Sequence, residues 1–123
     1  MPFLNIKKLV RSFLPAFKGL KMVVMDEQNM RVHVLAAILV TAAGFYFRIT
    51  QEEWCIVIIC MGMVTSLEAM NSAVEQLTNL AQPQYHPLAG KIKDMASAAV
   101  LIAAIAAAAA GTIVFWKYFF GWS

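Results

Sequence analysis

The stretch Glu68-Ala69-Met70-Asn71-Ser72-Ala73-Val74-Glu75 follows an unbroken apolar run, Trp54 to Leu67, with no turn signal between them. On a helix, steps of about 100° place Asn71 about 60° and Glu75 about 20° from Glu68, so two carboxylates and a carboxamide share one stripe. The preceding run reads as membrane-buried. Ionisable groups at that depth are costly, and they mark cavities or ion and substrate paths. The rest of the chain can be read outward from that stripe.

Composition sets the frame. Of 123 residues, 61% are hydrophobic and 14% charged, against about 25% charged in an ordinary soluble domain. The length suits one domain. Lipid admits only helices or closed barrels, and the apolar runs here are continuous rather than alternating, which argues against a barrel. The expected fold class is therefore an all-α integral membrane protein, with an amphipathic N-terminal surface helix and three transmembrane helices. Cys55 and Cys60 point about 140° apart on one helix and cannot pair with each other. The eight methionines read as packing. No cleavable signal peptide is evident.

In chain order, a basic amphipathic helix is expected over 4–29. Ile6, Leu9, Val10, Phe13, Phe17, Leu20 and Val24 recur at helical spacing, with Lys7, Lys8, Arg11, Lys18 and Lys21 mainly on other faces. Pro15 kinks or restarts it, and its lysines face anionic headgroups. Three helices with transmembrane spans follow at 32–48, 54–80 and 94–120. A tight polar loop, residues 48–53, joins the first two. A longer connection at 81–92 holds Pro83 and Pro87, which break any helix there. Alanines such as Ala99, Ala103 and Ala107 let the third span approach its neighbours closely. Lys117, Tyr118, Phe119, Phe120 and Trp122 anchor its end.

Lys and Arg crowd the amino-terminal segment, Arg31 and the 81–94 connection, while Arg48 and Lys117 lie on the other side. The positive-inside rule then makes the amino terminus and the 81–94 connection cytoplasmic. Counting from Trp54 at the outer interface, Glu68 lies roughly 21 Å and Glu75 roughly 32 Å down the second span. Glu75 is expected at the cytoplasmic headgroups, with Glu68 one to two turns deeper. Glu27, Lys93 and Asp94 reach the same interface by independent counting, so three carboxylates, Asn71 and Lys93 are expected to converge.

Carboxylates at that interface suit Mg²⁺, which takes one or two of them and fills its shell with water and phosphate oxygens. A deeper, partly desolvated carboxylate can serve as general base, and the hydroxyl within its reach belongs to a lipid. The combination points to phosphoryl transfer from ATP to a membrane lipid alcohol. No GxxxxGK[ST] or GxGxxG phosphate loop is present. Blander roles compete: bundle hydrogen bonding for Glu68 and Glu75, a solvated charge or helix cap for Glu27 and Asp94, and a membrane-boundary polar residue for His33 and His86. Two other classes are open, a small cation-coupled transporter built on Glu68 and a structural protein of the inner membrane. A transporter leaves Glu27, Glu75, Lys93 and Asp94 unexplained.

The run Glu68 to Glu75, with Tyr85-His86-Pro87-Leu88-Ala89-Gly90 and Lys93-Asp94-Met95-Ala96-Ser97-Ala98-Ala99-Val100-Leu101, resembles the prokaryotic diacylglycerol kinase family. Order, spacing and three-span topology match over nearly the whole chain. The resemblance implies a small membrane kinase working as a homotrimer in the bacterial inner (cytoplasmic) membrane, with sites shared between neighbouring subunits. It implies Glu68 as the general base, acting on the lipid substrate, with Asn71 beside it in the active site. Glu27 and Glu75 are implied as ligands of Mg²⁺ and ATP. Gln84, Tyr85, His86, Lys93 and Asp94 are implied as ATP contacts, and Arg31 as a basic residue near the lipid site. Lys8 corresponds to an amino-terminal basic contact, with Lys7 and Arg11 as alternatives. Asn79 stands where an aspartate is common, so that carboxylate's contribution is lost. Within the family, Glu27 to His33 and His86-Pro87-Leu88-Ala89 resemble undecaprenol kinases more than diacylglycerol kinases.

Overall fold

The computed structural model describes residues 3–121, and Trp122 of the expected end anchor lies outside them. The described residues are helical, with no strand among them. The order is α1 (Ile6–Arg11), α2 (Phe13–Asp26), α3 (Gln28–Phe47), α4 (Gln51–Ala81) and α5 (Pro87–Phe120). The last three are long and apolar enough to cross a membrane.

The amino-terminal segment is two helices that break at Ser12 rather than at Pro15. This placement puts Pro15 in the first turn of α2, where its missing N–H has no helical partner to lose. Glu27 is extended between α2 and α3. Arg31 closes that corner: its guanidinium donates to the carbonyls of Val24 (3.2 Å) and Met25 (2.7 Å). These are orphan acceptors at a helix C-terminus, where a cation is also favoured by the helix dipole. Met30, 1% exposed, is packed under the corner.

Between α3 and α4 the chain turns in three residues. Arg48 takes a left-handed conformation (φ 52°), and the Ile49 N–H returns to the Gly44 carbonyl at 3.2 Å. Thr50 and Glu53 form a capping box on α4, an arrangement that satisfies two orphan donors reciprocally. Helix α4 therefore starts inside the segment expected to be loop. The second connection differs more. Helix α5 begins at Pro87, and His86 Nδ1 accepts from the Leu88 N–H at 3.1 Å. A proline at the first helical position lacks only a donor that was orphaned anyway. Pro87 thus starts a helix rather than breaking one, and the linker shrinks to residues 82–86.

Helices α4 and α5 form a long antiparallel pair. At the end beside the α3–α4 turn, Ile49, Val57, Val114 and Phe115 make a small core. There the Tyr118 hydroxyl donates to Glu53 (2.5 Å), while Lys117 Nζ sits 3.2 Å from the other carboxylate oxygen. Trp54 packs on Phe45, with ring centroids 4.9 Å apart, and its ring tip lies over Gly44. Most large apolar side chains face outward, as expected where the surrounding medium is itself apolar.

Candidate active site

Glu68 is 2% exposed, Asn71 7% and Ser72 3%, so the stripe points into the helix packing and not at lipid. Its burial follows from where α3 crosses it. His33 Nε2 lies 3.6 Å from Glu68 Oε2, and Thr41 meets Met61 two turns further along. That antiparallel register brings Glu27, at the head of α3, level with Glu75 on α4. The two glutamates and His33 are the titratable groups that act on Glu68. Glu27 stands at the N-cap position of α3 but makes no capping hydrogen bond, which leaves its carboxylate free. Glu75 is half-buried.

Two polar atoms on the stripe have no partner among the described residues: Asn71 Oδ1 and Ser72 Oγ are both buried and unbonded. A buried unsatisfied polar atom costs about 1–3 kcal/mol, so such atoms are retained for a reason outside simple packing. Ser72 is not among the residues that the sequence singles out for the site, and neither is His33. His33 precedes Glu68 by more than a quarter of the chain, and only the crossing of α3 over α4 reveals the pairing. The buried serine has a faint signal: it directly follows Asn71 on the polar stripe.

The family model for prokaryotic diacylglycerol kinase matches residues 15–115. The chain belongs to the prokaryotic diacylglycerol kinase family. An undecaprenol kinase of Bacillus subtilis is 32% identical over 111 residues, covering 90% of each chain. A diacylglycerol kinase of Escherichia coli K12 is 30% identical over 112 residues, 91% of this chain and 92% of the relative. A diacylglycerol kinase of Helicobacter pylori is 30% identical over 117 residues, 95% of this chain and 84% of the relative. The protein is thus a membrane-bound lipid kinase, a transferase of lipid metabolism, with three apolar helices.

The other candidate residues are spread along one end of the molecule. The register set by Tyr118 against Glu53 and by Val114 near Val57 puts Ala96 level with Glu75. Lys93, half-buried, and Asp94, exposed, therefore lie roughly 3–5 Å along the helix beyond the level of Glu75. Gln84 and Tyr85 are exposed in the α4–α5 linker, and His86 serves as the α5 cap. Lys8 lies on α1, where every residue is exposed. Arg31 is engaged by the α2 carbonyls rather than projecting toward Glu68.

Glu27, Glu75 and Asp94 all lie toward one end of the molecule, with Asp94 exposed. Among the described residues no three His, Cys, Asp or Glu side chains come together as a ready metal cage. Asp94 is the outlier, because it lies beyond Glu75 and faces outward. The donor chemistry nevertheless fits Mg²⁺. Glu27 and Glu75 offer hard oxygen donors at one level, and Mg²⁺ needs only one or two protein carboxylates when phosphate and water complete its shell.

Proposed function

We propose that the protein transfers the γ-phosphate of ATP to the hydroxyl of a membrane lipid alcohol, with Glu68 as general base and undecaprenol favoured over diacylglycerol as acceptor. The observation that carries this reading is a buried carboxylate on a membrane helix, Glu68, two turns from the level shared by Glu27 and Glu75. Glu27 and Glu75 would hold Mg²⁺. When bound, the ion neutralises phosphate charge. Lys93, just beyond the level of Glu75, adds a cation for the phosphates. Gln84, Tyr85 and His86 offer an exposed strip to the nucleotide, and Lys8 a further cation from α1. The helices α3 and α5 both begin at this end, and helix N-termini favour anions.

Glu68 takes the proton of the alcohol as the alcohol oxygen bonds to the γ-phosphorus and the bond to ADP breaks. Asn71 and Ser72, buried with free oxygens, are placed to orient the hydroxyl. Burial keeps water away from Glu68, so the lipid hydroxyl meets the base in preference to water. We further propose that the site is completed by a neighbouring copy in a homotrimer, because Asp94 and Lys93 lie beyond the level of Glu27 and Glu75 within one chain. The amino terminus and the site face the cytoplasm of a bacterial inner membrane, in line with the bias of Lys and Arg toward that end. The preference for undecaprenol rests on the Glu27–His33 and His86–Ala89 runs.

The test is a phosphotransfer assay in detergent micelles with MgATP, comparing undecaprenol and diacylglycerol under the same conditions. ADP should form only when a lipid alcohol is present, faster with undecaprenol. Glu68→Gln should lower kcat by about 10²–10⁴-fold, the range for losing a general base, with oligomeric size unchanged. Normal turnover in that variant would remove Glu68 as the base, and a faster rate with diacylglycerol would reverse the acceptor preference.

A further inference from the structure

We infer that His33 is a positioning residue for Glu68, holding one oxygen of the buried carboxylate so that the other faces the alcohol. The inference rests on the reading of Glu68 as the base. Glu68 is nearly sealed from solvent, and among the described residues it makes no side-chain hydrogen bond. A buried carboxylate of that kind needs a partner to remain ionised. His33 supplies the one basic group beside it, Nε2 facing Oε2 at 3.6 Å. The spacing is an ion-pair distance just beyond a hydrogen bond, and closing it takes a few tenths of an ångström.

The surroundings fix the imidazole in that role. His33 lies on α3 one turn after the buried Met30, so its backbone is held by the α2–α3 corner. His33 also lines an apolar cavity of about 280 Å³ bordered by Ala36, Val40, Val57, Val64 and Ala107. Imidazole is thus the polar wall between a hydrocarbon-like space and the carboxylate. The titratable groups acting on Glu68 are His33 from α3, Glu27 from the α2–α3 junction and Glu75 from α4, with none from α5 among the described residues. Both glutamates repel the charge on Glu68, and His33 alone opposes them. During transfer the alcohol proton goes to the free oxygen of Glu68.

The test uses the full-length protein in micelles with MgATP and a lipid alcohol across about pH 6 to 9, a range that brackets imidazole titration. His33→Gln and His33→Asn are measured side by side, so that a folding failure in one leaves the other. The expected result is a drop in kcat of about tenfold or more near neutral pH with KM for ATP nearly unchanged, and an acid limb of the pH–rate profile displaced from its wild-type position, as loss of the polar partner beside the carboxylate requires. His33→Ala opens onto the apolar cavity, and added imidazole should restore its rate several-fold. An equal loss at every pH with no response to imidazole overturns the inference, as does wild-type kcat with an unmoved acid limb. Glu68→Gln separates the two levels: normal turnover there sinks the base itself, whereas an inactive Glu68→Gln beside unaffected His33 variants sinks only the role of His33.

Discussion

Gly44 is the place where one added methyl group should be felt most. A Cβ there would lie 2.6 Å from Trp54 Cη2, 2.8 Å from Cζ2 and 3.2 Å from Ile49 Cδ1. Carbon atoms rest about 3.5–4.0 Å apart, so the indole must retreat by about 1 Å. It is stacked on Phe45 and half-buried, and retreat loosens the α3–α4 hairpin. Overpacking of this kind costs about 1–3 kcal/mol, set against a gain of about 1 kcal/mol from replacing a helix-interior glycine by alanine. Gly19, inside α2 with nothing within 4 Å of an added methyl, isolates the second effect. Gly19→Ala should be stabilised by up to about 1 kcal/mol, and Gly44→Ala should fall below it by about 1–3 kcal/mol. The assay is SDS-induced unfolding in mixed micelles, followed by tryptophan fluorescence and residual activity. His33 lies roughly 16 Å along α3 from Gly44, so kcat of the surviving folded enzyme should be unchanged. Gly44→Ala matching Gly19→Ala in stability would refute the packing argument. Adding Trp54→Leu should relieve the clash, giving a non-additive double mutant.

The cluster at the other end of the bundle should be structural. Glu53→Gln weakens a charge-assisted pair of bonds and should cost about 1.5–3 kcal/mol in the same unfolding assay; Tyr118→Phe should shift stability the same way, whereas Lys117→Met, whose ammonium is largely exposed, should change it little. All three should leave kcat within about twofold, and a large kcat loss would mean that this end takes part in the reaction. At the site end, Glu75→Gln should raise the magnesium concentration for half-maximal rate by about tenfold or more, as expected when one of two protein ligands is lost. An unchanged magnesium dependence would remove Glu75 from the metal site.

Three apolar spans and the polar stripe at Glu68, Asn71 and Glu75 can be read directly from residue order, because hydropathy and the 3.6-residue period are local properties. Element ends are less legible. Pro87 has the same sequence signature whether it stops a helix or starts one, and the difference lies in His86, whose side chain caps the helix that follows it. The break at Ser12 likewise depends on where Pro15 falls in the first turn of α2.

The amino-acid sequence by itself determined that this is a three-span helical membrane protein with a carboxylate pair on one helix face, because burying backbone in lipid leaves few alternatives. Only the tertiary structure decided which groups meet that face. The α3–α4 register aligned Glu27 with Glu75 and set His33 against Glu68, while the α4–α5 register left Lys93 and Asp94 just beyond that level. The reason is physical: contacts between helices distant in sequence are fixed by packing features such as the bare Cα of Gly44 beneath Trp54 and the Glu53–Tyr118 bond, and no local pattern encodes the partner of either.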